Sequence, residues 1–381
     1  MHISSRMRIP VLAVLAALAA GPAAALAQEV QIVKIGFSSP LTGPQAAAGK
    51  DNQGGLLMAI DALNARGMLV KGKKIKFEAV IEDDQGDPQA GVNVAQKLAD
   101  MQVAAIIGPY NSGVALPVSR IYQNAGIVMG TVASNPRVTQ QGYNVVFRIA
   151  ASDSQLGSTM ARYAAQELKV RKVAIIDDRS AYGVGVAAEF EKVAKAAGVQ
   201  ITSRDFTNGK AVDFTAILTS LRARKPDAIF YGGYSPQGAP LLRQMRQLGV
   251  NALLLGSDGI CAPEMGRLAG DAIKDQVYCT QGGTLLDKVR AGKQFAADYR
   301  KRFGRPAETY AASFYDGMML IAQAMQAADS VDPKVYRAAL EKITYKGVAA
   351  TLAFDANHDL LQSPVTVFRF RDGVPQALSN Y

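Results

Sequence analysis

The stretch AAIIGPYNSGVALPVS (residues 104–119) passes from a short apolar run into a turn of glycine, proline, tyrosine, asparagine and serine. It then enters a helix-like run, with nothing charged before Arg120. In open α/β sheets, ligands sit beyond the carboxyl ends of the strands, where such turns lie. Backbone N–H groups at a helix N-terminus attract anions. Ser112 is placed to cap the helix after Gly113 and to offer its hydroxyl. Pro117 is tolerable only because it lies near the helix start. Ser134 and Asn135 follow the next strand and add donors. The pattern suits one carboxylate gripped by neutral donors, with ordinary helix capping as the alternative. At ~1.5–3 kcal/mol for each charge-assisted hydrogen bond, three or four are enough for a firm grip.

Outward from this turn, apolar strands and helix-period segments alternate. Strands are expected near 33–39, 73–84 and 126–131, with helices near 54–65 and 87–101 between them. The rhythm restarts with helix 154–168, strand 172–177, helix 184–197, strand 199–206, helix 214–224, strand 227–233, helix 236–248 and strand 252–256. Short continuous apolar strands mark parallel sheets covered on both faces. Two such series predict two doubly wound α/β lobes. Helices near 289–302, 310–327 and 333–343 follow, and two strands, AATLAFD and SPVTVFRF, close the chain. This predicts a return to the first lobe and a three-segment hinge. The first lobe would comprise 28–150 plus 283–353, and the second 151–282 plus 354–381.

Arg6 and Arg8 precede the apolar run IPVLAVLAALAAGPAAALA, which ends in Ala25-Leu26-Ala27. Charged start, apolar middle and A-x-A end predict a secretory signal peptide over residues 1–27, cleaved after Ala27, and hence a periplasmic protein. Without a cysteine at the cut, no lipid anchor is indicated. The formal charge of the 381-residue chain is +10. The densest basic run, VKGKKIK at 70–76, suits a surface turn better than nucleic acid. Cys261 and Cys279 are either a disulfide or two buried thiols, and their spacing fits neither a redox nor a zinc motif.

Catalytic and cofactor readings fail on spacing. Gly183-x-Gly185-x-x-Ala188 stands five residues beyond the end of its strand, too far for a dinucleotide turn. GGYSPQG at 232–238 lacks the last glycine of a nucleophile elbow. His358, the one histidine after the leader, is expected in a solvated loop. The acids of EDDQGDP (82–88) fit a structural loop in which Asp87 caps a helix, rather than a calcium site. No cofactor and no metal are expected. An acceptor for an ammonium group is available in Asp258, after a strand of the second series. Tyr182 and Tyr234 stand at analogous positions with apolar rings and hydroxyl tips.

The ordered motifs IGFSSPLTGPQAAAGKDNQGG, EDDQGDPQAGVNVAQKL, IIGPYNSG, RIAASDSQLG, AIIDDRSAYGVGVA, IFYGGYSPQG and LGSDGI resemble the leucine/isoleucine/valine-binding proteins. These are periplasmic receptors of amino-acid ABC importers. The resemblance covers nearly the whole chain after residue 27. It implies two α/β lobes with three crossings, closing as a hinge on a ligand. It also implies carboxylate binding by Ser112, backbone groups from Ala133, Asn135 where the family often has Thr, ring contacts from Tyr182 and Tyr234, and ammonium binding by Asp258. The acid is often Glu in that family. Ala48 stands where some members have Tyr, and neither Gly86 nor Asn111 is the cysteine some members have. The resemblance thus implies a monomeric, non-catalytic receptor for a small amino acid, Leu, Ile or Val, that delivers it to a membrane permease. A receptor for an amide, urea or aromatic acid is the alternative, with an exported hydrolase behind it.

Overall fold

The computed structural model describes residues 29–380. The expected signal peptide lies outside them. The first sheet holds β1 (Val30–Ser39), β2 (Met68–Val70), β3 (Lys73–Asp83), β4 (Ala105–Ile107), β5 (Met129–Thr131) and β6 (Val146–Arg148). Their order is β2-β3-β1-β4-β5-β6, and only β2–β3 is antiparallel. The second sheet holds β7 (Lys172–Asp177), β8 (Gln200–Phe206), β9 (Ala228–Gly232), β10 (Leu253–Gly256) and β11 (Val277–Gly282). A small ribbon of β12 (Tyr345–Lys346) and β13 (Thr351–Leu352) follows, and β14 (Val365–Arg371) and β15 (Val374–Asn380) then join the second sheet. Its order is β15-β14-β11-β10-β9-β7-β8, with β14 and β15 antiparallel to their neighbours. Both sheets are mostly parallel, as expected of two doubly wound lobes, and antiparallel pairing is confined to one edge of each.

Helices α1 (Ala46–Arg66), α2 (Pro88–Asp100) and α3 (Ser112–Ala125) connect the first sheet. On α1, Leu56, Ala59, Ile60 and Leu63 repeat at helical spacing and are buried. Asp87 caps α2 as expected, accepting the N–H groups of Gln89 and Ala90 at 2.9 Å each. Helices α4 (Asp153–Gln166), α5 (Ala181–Ala196), α6 (Thr215–Arg224), α7 (Ser235–Gln247) and α8 (Pro263–Ala269) serve the second sheet. Then α9 (Arg290–Phe303), α10 (Ala311–Ala327) and α11 (Pro333–Leu340) return to the first. Helix α10 is apolar on nearly every side because Phe314, Met318, Leu320, Ile321, Ala322 and Met325 share one core with β1, β4 and α1. Each fully buried Leu, Ile or Phe contributes about 1.5–3 kcal/mol. Gly55 permits the contact between these helices, since a Cβ there would collide with the Ala311 carbonyl.

The chain passes between the sheets three times, around 149–152, 283–289 and 361–364. Residues 354–360, assigned to the second lobe from sequence, pack on the first. Leu360 belongs to its core, Phe354 meets Phe147 edge-on at 5.0 Å, and Asp359 pairs with Arg148 at 2.6 Å. The apolar run AATLAFD suggested a closing strand, yet only Thr351 and Leu352 of it pair as one. His358 is not in a solvated loop: its ring stacks on Phe147 at 4.1 Å.

Cys261 and Cys279 are joined, with Cα atoms 5.4 Å apart, and both are buried. The bond fastens the segment after β10 to β11. From its loop length, replacing both cysteines by alanine is expected to remove about 3 kcal/mol of stability in denaturant unfolding.

Candidate ligand-binding site

Without their antiparallel edges the sheets read β3-β1-β4-β5-β6 and β8-β7-β9-β10-β11, the same doubly wound order twice. In this order the crevice lies at the carboxyl ends of the strands flanking the reversal, here β1/β4 and β7/β9. Gly108 makes the turn after β4 at φ 125°, where a Cβ would collide with the Ser38 carbonyl at the end of β1.

On the first-lobe wall, Ser112 is the first residue of α3 rather than its cap. Asn111 holds the cap position without a side-chain capping bond. The Ser112 hydroxyl accepts the Asn135 N–H at 3.2 Å. Asn135 accepts the Arg137 N–H at 2.9 Å through Oδ1 and donates through Nδ2 to the Ala181 carbonyl at 2.7 Å, across to the second lobe. The Ala133 N–H donates to the Thr131 hydroxyl at 3.0 Å. Behind this loop Arg148 is fully buried. It donates to the carbonyls of Ala133 and Asn135 and to the Thr139 hydroxyl, and it pairs with Asp359. Sequence reasoning missed Arg148; its signal was a lone charge ending the apolar run VVF.

On the second-lobe wall, Tyr182 lies in the first turn of α5 and Tyr234 at the cap of α7. Asp258 follows β10 and is 6% exposed. Its Oδ1 accepts the hydroxyls of Tyr182 at 2.9 Å and Ser257 at 3.0 Å, and its Oδ2 accepts that of Tyr310 at 2.6 Å. Burial pushes the Asp258 carboxyl up, and the three hydroxyls pull against it. Tyr110 from the first lobe meets Tyr234 at 5.9 Å and Tyr310 at 6.0 Å, and Tyr182 meets Tyr234 at 4.9 Å. Tyr110 and Tyr310 were not picked out from sequence, although Tyr110 stands inside the stretch that opened the reading. A cavity of about 20 Å³ lies between Ala48, Tyr110, Asp258 and Tyr310, large enough for a water molecule.

Asp51 on α1 holds the loop that carries Tyr310. It accepts the N–H groups of Glu308 at 2.9 Å, Tyr310 at 3.3 Å and Ala311 at 3.0 Å. Burial pushes its carboxyl up to about 6. The acids at 82–88 are likewise occupied. Asp83 accepts from Leu41 and Thr42, and Asp84 accepts from Ser38 at 2.6 Å. Among the described residues, no group of three or more potential metal ligands occurs.

The Gly183/Gly185 pair also finds its reason. A Cβ on Gly183 would collide with the Gly232 carbonyl. One on Gly185 would collide with the Asn135 amide and lie 2.8 Å from Asp153 Oδ2. Gly183 thus lets α5 pack on β9 of its own lobe, and Gly185 stands where α5 meets the opposite lobe. All seven predicted site residues thus come together: Ser112 and Asn135 are bonded, Ala133 and Ser134 share their loop, and Asn135 reaches the turn of Tyr182, which touches Tyr234 and Asp258.

Two α/β lobes facing each other over a hydroxyl-lined gap define a bilobed solute receptor. The chain belongs to the periplasmic binding protein family, whose model matches residues 32–374, and is a non-enzymatic ABC-transporter solute-binding protein with the type I fold. It is 33% identical over 343 residues to Leu/Ile/Val-binding protein homolog 1 of Brucella abortus (strain 2308), covering 90% of this chain and 91% of that one. It superposes on a leucine-binding protein of Thermotoga maritima MSB8 with a TM-score of 0.85 at 28% identity, covering 91% and 98% of the two chains. A branched-chain amino acid binding protein of Streptococcus pneumoniae in complex with isoleucine gives a TM-score of 0.83 at 25% identity, covering 92% and 99%. Among the described residues, no helix is long and apolar enough to cross a membrane.

Two outcomes follow from this geometry. Folding favours protonated Asp51, because its carboxyl stands at about 6 against the ordinary 3.8. The stability of the wild type relative to Asp51→Asn is therefore expected to be greatest below pH 4 and to fall by roughly 3 kcal/mol as pH rises through 6, in parallel denaturation curves. Gly185→Ala is expected to weaken solute binding at least ~10-fold by calorimetry, since its methyl props the lobes apart. The unliganded melting temperature should hold or rise, because alanine favours a helix interior by about 1 kcal/mol over glycine.

Proposed function

We propose that this receptor binds a small α-amino acid, with leucine, isoleucine and valine foremost, between its lobes and delivers it to the membrane permease of an ABC importer. The observation that carries the reading is Asp258. Its carboxylate is buried in the gap, its three hydrogen-bond partners are hydroxyls, and no cation is among them. A buried carboxylate calls for a positive partner, and the ligand's ammonium supplies it. The ligand carboxylate lies against the N-terminus of α3, where the first N–H groups have no intrahelical acceptor. Ser112, Ala133, Ser134 and Asn135 add hydroxyl, amide and backbone groups. The rings of Tyr182 and Tyr234 enclose an apolar side chain. Contacts to both lobes favour the closed form, so binding shifts a population that hinges at the three crossings. The protein acts in the periplasm as a monomer once residues 1–27 are removed.

The names of the relatives support this choice of ligand. An amide, urea or aromatic acid would bring no cation to Asp258. A thermal-shift panel of amino acids, amides and aromatic acids separates the two classes. Asp258→Asn is expected to weaken amino-acid binding at least ~10-fold, or about 1.4 kcal/mol, by calorimetry. Unchanged affinity would overturn the reading.

A further inference from the structure

The geometry points to Asp153 as a second acceptor for the ligand's ammonium group, opposite Asp258; this rests on the amino-acid reading above. Asp153 is the first residue of α4, just beyond the first crossing, and is 0% exposed. Neither of its carboxylate oxygens meets a donor in hydrogen-bond geometry. Its N–H donates to the Ser134 carbonyl at 2.8 Å, which fixes it to the loop of Ala133, Ser134 and Asn135. Its Oδ2 lies beside Gly185, next to the Asn135 amide, at the point where the lobes meet.

A carboxylate in the first turn of a helix ordinarily complements the helix dipole or caps an N–H group. Here Ser152 is the cap residue and Gln155 accepts its N–H at 3.0 Å, so the carboxylate of Asp153 is not needed for capping. Its charged surroundings include Asp258 and Glu189, which repel it, and Arg148, which attracts it; the Ser134 hydroxyl also pulls its carboxyl down. The guanidinium of Arg148 is already committed to Asp359, Thr139 and two carbonyls. Burial therefore pushes the Asp153 carboxyl well above the ordinary range. A buried acid without a partner is destabilising unless a cation or donor joins it. An ammonium group has three N–H donors. Asp258 already accepts three hydroxyls, which leaves about one of the four lone-pair positions of a carboxylate. Asp153, answered only by the Ser134 hydroxyl, offers more.

Calorimetry with leucine and with 4-methylpentanoate, which is leucine without its ammonium group, tests this in wild type, Asp153→Asn and Asp258→Asn. Asp153→Asn is expected to lose leucine affinity at least ~10-fold while binding 4-methylpentanoate within about threefold of wild type, or more tightly. Leucine binding unchanged in Asp153→Asn, or both ligands weakened equally, overturns the proposal. If Asp258→Asn alone loses leucine, the amino-acid reading stands and the role of Asp153 falls. If the wild type binds neither leucine nor any other amino acid of the panel, both fall. Should the asparagine variant not fold, Asp153→Ser is compared in the same way.

Discussion

The guanidinium of Arg148 is the point on which hinge and binding wall both depend. It sits at the end of β6, immediately before the chain first leaves the lobe, and water does not reach it. Its donors hold the Ala133 and Asn135 carbonyls, and its charge is met by Asp359, immediately before the chain leaves the lobe for the last time. One buried cation thus ties two crossings to the loop of Ala133, Ser134 and Asn135. A pair with one buried partner adds little net stability, but removing Asp359 would strand the buried Arg148 charge, a loss of up to about 3–5 kcal/mol. Its value here is geometric: the loop cannot drift without the hinge.

The facing wall is built differently. Asp258 is held by hydroxyls from three separate elements, and one of them, Tyr310, comes from the other lobe. The disulfide at Cys261 pins the same segment to β11. Each wall is thus held by its own side chains, and two hydrogen bonds, Tyr310 to Asp258 and Asn135 to Ala181, join the walls to each other. Gly185 sets the lower limit of their separation, because nothing larger than hydrogen fits between α5 and Asn135.

Much of this was legible in the chain. The opening stretch located the turn, because an apolar strand followed by Gly108, Ser112 and a helix has few other uses. Alternating apolar runs revealed two lobes, since parallel strands covered on both faces leave that pattern. The order of motifs placed Ser112, Asn135, Tyr182, Tyr234 and Asp258. What escaped was long-range. The start of α5 was set three residues late, and the reason for Gly185, its closeness to Asn135 of the other lobe, could not be read locally. The final crossing was misplaced because the attachment of residues 354–360 depends on Arg148, some two hundred positions earlier. Asp51, Tyr110 and Tyr310 look like ordinary core or helix residues until their partners are known. Asp153 stands in the quoted motif RIAASDSQLG, where it reads as a helix-start acid.

The return of α10 to α1 bears on how the molecule comes into being. The Asp51 carboxylate and the Ala311 N–H that meet there are separated by 260 positions. The second sheet likewise waits for β14, drawn from the last twenty residues. Each half is completed only by segments far along the chain, and contacts between such distant segments slow assembly. A chain that has not yet made these contacts leaves apolar strands of both sheets incompletely covered, and such surfaces need shielding from one another.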